Sequence, residues 1–332
     1  MKKIKMFQNI KRLSLALFLI ANSFGSVVIW GQMAREESRQ YRIQYDFQER
    51  TIYTYKMNYT TTVKRTFADN TTKNFERKVE VYLTFWRPSA LSEGFAEIRT
   101  SLDSFNYEYK DENNSVRWST QSNENPIPGN PDFDVVFPIL GRSFFTTISP
   151  YFDVAKIEGK YLDEARDNIR EMSDTTLRQI WLKANSNENL KFYVDMNKSV
   201  LRSGRFAIDS AWNMRFTIPI EGIRYTCDTA TVKFYLYDGK NFHIKAEMPK
   251  MMPNLNDNAS VIGMNREILS VDSTSYSSGF WDISVSPRGM LNTAIGKFTT
   301  KTNSATSGNL KFSDEIITEI KYEMLGTQRW RD

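Results

Sequence analysis

One cysteine and one histidine in 332 residues remove several kinds of chemistry at the outset. A lone Cys227 cannot form an internal disulfide, so stability must come from core burial. The thiol itself reads as small apolar filler. A lone His243 cannot build a multi-histidine metal site, and any Ser-His-Asp arrangement would depend on that one residue. It lies in "KNFHIKAEM", where alternation puts Phe242, Ile244 and Ala246 on one face and His243, Lys245 and Glu247 on the other. His243 therefore reads as the solvent face of a strand. The chain has no Gly-rich phosphate loop, no paired-cysteine motif and no HExxH sequence, and its glycines stand singly at turns. No catalytic residue and no cofactor-binding residue emerges, and a non-enzymatic protein without a cofactor is the expectation.

Excess charge of one sign is also scarce once the N-terminus is set aside. The formal net charge of +5 comes from 44 basic and 39 acidic residues. Lys2, Lys3, Lys5, Lys11 and Arg12 supply five of the basic ones and precede the apolar run "LSLALFLIANSFGSVVIWGQ". A basic segment followed by a short apolar core has the form of a signal peptide, expected over residues 1–31 and removed on export to the periplasm or cell surface. Without it, basic and acidic residues are equal in number. A sequence-independent nucleic-acid binder needs a basic excess, so nucleic acid is not an expected partner. Asn22, Ser23 and Gly25 interrupt the apolar run, so no stable membrane span is expected after cleavage.

Strand patterning dominates the rest. Tyr41, Ile43, Tyr45 and Phe47 share one face, and Tyr53, Tyr55, Met57 and Tyr59 another. Val79, Val81, Leu83 and Phe85 repeat the alternation, as do Phe105, Tyr107 and Tyr109. Period-2 runs at hairpin spacing argue for antiparallel strands with one buried face. "TATVKFYLYDGKNFHIKAEM" is the strongest hairpin, with Asp238-Gly239 at its turn. "EIITEIKYEML" reads as a final strand. The loop "STQSNENPIPGNPDFD" is broken by Pro126, Pro128, Gly129 and Pro131 and reads as a crossover.

Two stretches share their punctuation. "ISPYFDVAKIEGK" opens with Ser149 and Pro150 and closes with Gly159; "VSPRGMLNTAIGK" opens with Ser286 and Pro287 and closes with Gly296. Val154 matches Leu291, and Ile157 matches Ala294. Each reads as strand, turn and returning strand, with the glycine as terminator. Between them the period changes to that of helices. Leu162, Ala165, Ile169 and Met172 share a face, and Leu177, Ile180, Trp181 and Ala184 form a second helix capped by Ser173 or Asp174. "ENLKFYVDMNKSV" fits helix or strand, with a lean to helix. The expected fold is thus mainly β (a β-rich α+β chain), with two related antiparallel, curved-sheet halves joined by a helical insert. Their expected bounds are 32–160, 161–200 and 201–332.

Two clusters invite chemistry. Asp163, Glu164, Asp167 and Glu171 are interleaved with Arg166 and Arg170, which marks a solvated ion-pair face rather than a carboxylate pair. Met248, Met251 and Met252 cluster around Pro249 and Pro253. Thioethers suit Cu(I), which makes these three the candidate metal ligands, although methionine equally serves as adaptable filler. "DENNSVRWSTQSNEN" lacks regular calcium-ligand spacing and reads as a loop.

The opening "YRIQYDFQERTIYTYKM", the "ILGRSFFTTISPYFDVAKIEG" unit and the closing "GFWDISVSPRGMLNTAIGKFTTKT" resemble an uncharacterised family of exported β-rich bacterial proteins with a strand, Pro or Gly turn, strand unit in each half. The resemblance spans most of residues 41–325 and carries no catalytic residues to transfer. Glu49–Arg50 and Tyr151–Phe152 stand where the family's turns usually hold glycine. The partner expected is an apolar small molecule, such as a lipid, in a sheet-lined groove. The alternative is an envelope protein met across a sheet surface.

Overall fold

The computed structural model describes residues 40–43, 48–88, 94–122, 139–149, 153–195, 200, 205–257, 259–260, 268–306 and 309–329. The expected signal segment lies outside them, as does the proline-bearing part of the crossover stretch; only its first residues, 119–122, are described, and Ser119 ends a strand.

The chain is mainly β. The first half forms β1 (Thr51–Phe67), β2 (Thr72–Trp86), β3 (Ala96–Asp111), β4 (Ser115–Ser119), β5 (Ser143–Ile148) and β6 (Val154–Glu158). Three helices follow: α1 (Lys160–Arg170), α2 (Thr175–Ala184) and α3 (Asn187–Val194). The second half forms β7 (Ala211–Ile220), β8 (Ile223–Tyr237), β9 (Phe242–Pro253), β10 (Ala259–Ser260), β11 (Ile268–Val271), β12 (Tyr276–Val285), β13 (Leu291–Thr306) and β14 (Lys311–Arg329). All pairings between these strands are antiparallel, in one 14-stranded sheet ordered β6-β5-β3-β2-β1-β14-β13-β12-β9-β8-β7. β4 is attached to β3, and β10 and β11 lie off β13. The two halves are therefore one sheet system, joined where the first strand pairs with the last along Thr51↔Arg329 to Phe67↔Phe312.

Alternation explains the faces. On β1, Tyr53, Tyr55, Met57, Tyr59 and Val63 are buried, while Lys56, Asn58 and Thr60 between them look outward. β14 follows suit, with Ile316, Thr318, Ile320 and Tyr322 inside and Glu315, Ile317, Glu319 and Lys321 outside. Ladder shifts at Thr54/Tyr55, Tyr82/Leu83, Met214/Phe216 and Phe234/Leu236 insert bulges that bend the strands. The sheet curls over its inner face without closing among the described residues, with β6 and β7 at its two ends.

The twin units have the same ladder. β5 and β6 pair as Ile148↔Val154, Thr147↔Lys156, Thr146↔Ile157 and Phe145↔Glu158. β12 and β13 pair as Val285↔Leu291, Ser284↔Thr293, Ile283↔Ala294 and Asp282↔Ile295, with the bulge at the same step. The turns match too. Ser149 N–H donates to Asp153 O and its Oγ accepts from Asp153 N; Ser286 N–H donates to Met290 O and its Oγ accepts from Met290 N. Pro150 lies outside the described residues, and Pro287 sits in the turn.

The glycines, however, are not both terminators. Gly159 ends β6 and stands as the residue before α1, whereas Gly296 is in the middle of β13. What they share is an aromatic residue across the ladder. A Cβ on Gly296 would come within 2.8 Å of the Trp281 ring, and one on Gly159 within 3.2 Å of Phe144 Cα. Packing of the ring, not strand termination, requires the glycine at 296.

The helices form where periodicity placed them. Leu162, Ala165 and Ile169 of α1 are buried, and Asp174 caps α2 by accepting from Leu177 N at 2.9 Å. The ambiguous segment is helical, capped by Ser186. The loop between β8 and β9 is four residues long, not two: Tyr237 pairs with Phe242, and Asp238 accepts from the amides of Lys240 and Asn241.

Candidate functional site

Charges inside the curl mark the most unusual place in the molecule. Arg77 of β2 reaches Glu221, in the turn between β7 and β8, with Nη2 2.8 and 2.7 Å from the two carboxylate oxygens. Thr61 Oγ1 donates to the same carboxylate at 2.7 Å, and Tyr59 donates its hydroxyl at 3.1 Å. Burial, with the Glu221 charge adding to it, pushes the Tyr59 phenol well above its ordinary pKa and keeps it a donor. In sheet order β2 and β8 are far apart, so these bonds cross the interior and tie one end of the sheet to its middle. The pair has few routes to water, since both side chains are under 10% exposed.

Four residues along β1 from Thr61, the ladder partner of Arg77, Arg65 meets Asp314 of β14 through Nε and Nη2 at 2.9 and 2.8 Å. The guanidinium lies 4.0 Å from the Phe312 ring centroid and 5.2 Å from that of Phe75. Two parallel N–H bonds plus ring faces are a setting for which arginine, not lysine, is suited. Beside the pair, Thr302 Oγ1 is buried with no hydrogen-bond partner among the described residues. It faces a cleft of about 20 Å³ shared with Arg65, Asp314 and Tyr225. That is room for about one water molecule.

The other part of the inner face is aromatic. Tyr55, Phe85, Phe105, Trp281, Phe298 and Tyr322 are nearly or wholly excluded from solvent. Trp281 and Phe298 meet edge to face with centroids 5.7 Å apart, as do Tyr55 and Phe85 at 5.5 Å. The helices cover this surface through α3. Its Phe192 ring lies against Tyr59 and Tyr322, and its Phe192 carbonyl accepts the Tyr322 hydroxyl at 2.9 Å. Arg166 of α1 donates twice to Asn185 O, holding α1 to the junction of α2 and α3. Asp257, after β9, accepts from Arg224 at 2.8 and 2.9 Å and lies 3.6 Å from Lys183 of α2.

The expected site residues are placed as follows. Met248 and Met251 are fully buried on the inner face, while Met252 is exposed on the other, so the three sulfurs do not converge. Among the described residues, no group of three or more His, Cys, Asp and Glu is arranged to hold a metal. His243 is on the outer side of β9 and bonds Asp238 at 3.0 Å. Asp163 and Asp167 pair with Arg166 and Arg170 on α1. Of "DENNSVRWSTQSNEN", expected to be a loop, only the start is the β3–β4 turn, with Asp111 accepting from the amides of Asn113 and Asn114, while Ser115–Ser119 is strand β4, paired back onto β3.

The buried charges escaped the reading of the sequence. A signal was present in parity: Arg65 follows Tyr59, Thr61 and Val63 on the apolar register, Arg77 precedes Val79 and Val81, and Asp314 precedes Ile316 and Thr318. A charge on the inner register of a strand must find a partner inside. Glu221 carried no such sign, because a glutamate in a turn ordinarily faces water.

No known family's sequence profile matches the chain, and no curated protein matches it. Likenesses to solved structures are slight. Lipovitellin, in a structure concerned with its lipid–protein interactions, is 11% identical with a TM-score of 0.42, over 86% of this chain and 26% of that one. The chain thus spans about a quarter of lipovitellin's length. An outer membrane channel from Pseudomonas putida F1 is 7% identical with a TM-score of 0.28, over 85% and 97% of the two chains. DynF from the dynemicin pathway of Micromonospora chersina is 7% identical with a TM-score of 0.22, over 84% and 83%. Likeness at this level carries no argument about activity.

Proposed function

We propose that this chain is an exported, non-enzymatic binding protein of the bacterial envelope that takes an apolar ligand of the lipid class on the inner face of its curved sheet. The observation that carries the reading is the distribution of polarity. The inner face is aromatic, whereas the outer face carries Lys–Glu pairs such as Lys297–Glu319, Lys301–Glu315 and Lys321–Glu323. A membrane-spanning barrel needs the reverse, an apolar outward band. Among the described residues no helix is long and apolar enough to cross a membrane. Among the described residues the sheet is open at its ends and held by non-covalent ties, so its aromatic interior can be reached when α3 or the Glu221 contact gives way. Uptake of a fluorescent fatty acid by the purified full chain tests this. Saturable uptake that quickens in Glu221→Gln supports the reading, and no uptake by either protein refutes it.

A second reading, an envelope component that meets a protein partner, is favoured by how little space is left inside the curl at Arg65 and Asp314, where the cleft has room for about one water molecule and none for a lipid. Crosslinking in cells then yields one discrete partner, while the purified chain takes up no lipid.

A further inference from the structure

The outer face of β1 to β4 bears a groove of about 600 Å³, within the usual size of small-ligand sites. Strand register sets a rung of polar side chains across it: Asn58, Glu80, Asn106 and Ser119. Ser119 Oγ donates to Asn106 Oδ1 at 2.5 Å, and Asn106 Nδ2 donates to Glu80 Oε1 at 2.8 Å. Lys56 pairs with the other oxygen of Glu80. The relay fixes the face that Asn106 presents. Partial burial pushes the Glu80 carboxyl up, but hydrogen bonds from Lys56, Asn106 and Tyr82 outweigh it and hold the group below its ordinary value, ionised.

Three features select the ligand. The lining charges balance, Lys78 and Arg117 against Glu80 and Glu108, so the groove offers no net field to a polyanion or polycation. The Asn58 amide and the Thr60 hydroxyl line it without a hydrogen-bond partner among the described residues, while their neighbours are tied. Carboxylate, amide and hydroxyl together supply acceptors and donors side by side, the complement of adjacent hydroxyls on a sugar ring. The rung is built of side chains, which disfavours an extended peptide that binds by backbone pairing.

We propose that this outer groove binds a neutral oligosaccharide segment, with Glu80 and Asn106 orienting its hydroxyls and Asn58 and Thr60 completing the contacts. The site is independent of the inner face. Saturation-transfer NMR on the full chain, with maltotetraose and the N-acetylglucosamine tetramer as probes, tests it. Transfer to at least one probe is expected, with affinity at least tenfold weaker in Asn106→Ala and in Asn58→Ala. Asn58 makes no hydrogen bond among the described residues, so its variant is expected to fold even if the relay variant does not. Lys301→Ala, elsewhere on the outer face, leaves the affinity unchanged. No transfer to either probe, unchanged affinity in Asn58→Ala, or binding of a neutral pentapeptide in place of both saccharides overturns the proposal.

Discussion

Arg77 and Glu221 meet inside the curled sheet, 2.7 Å apart, although β2 and the β7–β8 turn lie far from each other in strand order. The contact spans the open curl as a charge pair rather than as apolar packing. A buried pair costs its desolvation and is worth most as a device that fixes one arrangement; breaking it by removing one partner leaves a charge stranded.

Glu221→Gln is therefore expected to destabilise the protein by about 3 kcal/mol or more, since Arg77 remains buried with a weaker acceptor. Replacing both residues, as in Arg77→Met with Glu221→Leu, is expected to cost less than the single change. Urea unfolding midpoints at neutral pH check the order. A single variant within about 0.5 kcal/mol of the parent, the ordinary scatter of surface changes, contradicts it.

Gly296→Ala is expected to cost about 1–3 kcal/mol by overpacking, because the new methyl would meet the Trp281 ring. Gly326→Ala, where a Cβ meets nothing within 4 Å, is the control and is expected to be near neutral. Thermal unfolding followed by tryptophan fluorescence compares the two.

Asp257 gives an acid-side signature. Burial pushes its carboxyl up, but bonds from the Arg224 side chain and amide, with Lys183 nearby, outweigh this and hold it below the ordinary carboxylate value. A group depressed in the folded state stabilises fully above its unfolded pKa of about 4 and loses that contribution as pH falls through the folded value. Asp257→Asn is expected to cost about 2 kcal/mol near neutrality and progressively less as pH falls below about 4. Denaturant titrations across that range measure the difference, and a cost independent of pH contradicts the assignment.

Cys227 is buried and unpaired with another cysteine. A maleimide probe is expected to label it at the rate of opening of the β7–β8 region, and at once in denaturant. Rapid labelling of the folded chain contradicts its placement in the core.

Much of this was legible from alternation alone. Tyr53, Tyr55 and Met57 showed which way β1 faces, because a strand has only two sides. The helical insert was legible because Leu162, Ala165 and Ile169 recur at 3.6. Turn residues were less informative: Asp238-Gly239 marked a turn, but the Asp238 side chain captures two later amides and lengthens the loop to four. Gly296 was misread, since a missing side chain signals a break or a close neighbour equally well. The outer groove was illegible because its rung joins β1 to β4 through register, which no local pattern reveals.

The most direct test of the inner-face reading is native mass spectrometry of the full chain purified without detergent from the cells that produce it. A second species heavier by the mass of a lipid, released by organic extraction, is predicted. A single bare mass, together with no adduct after incubation with a lipid extract of the same cells, would contradict it.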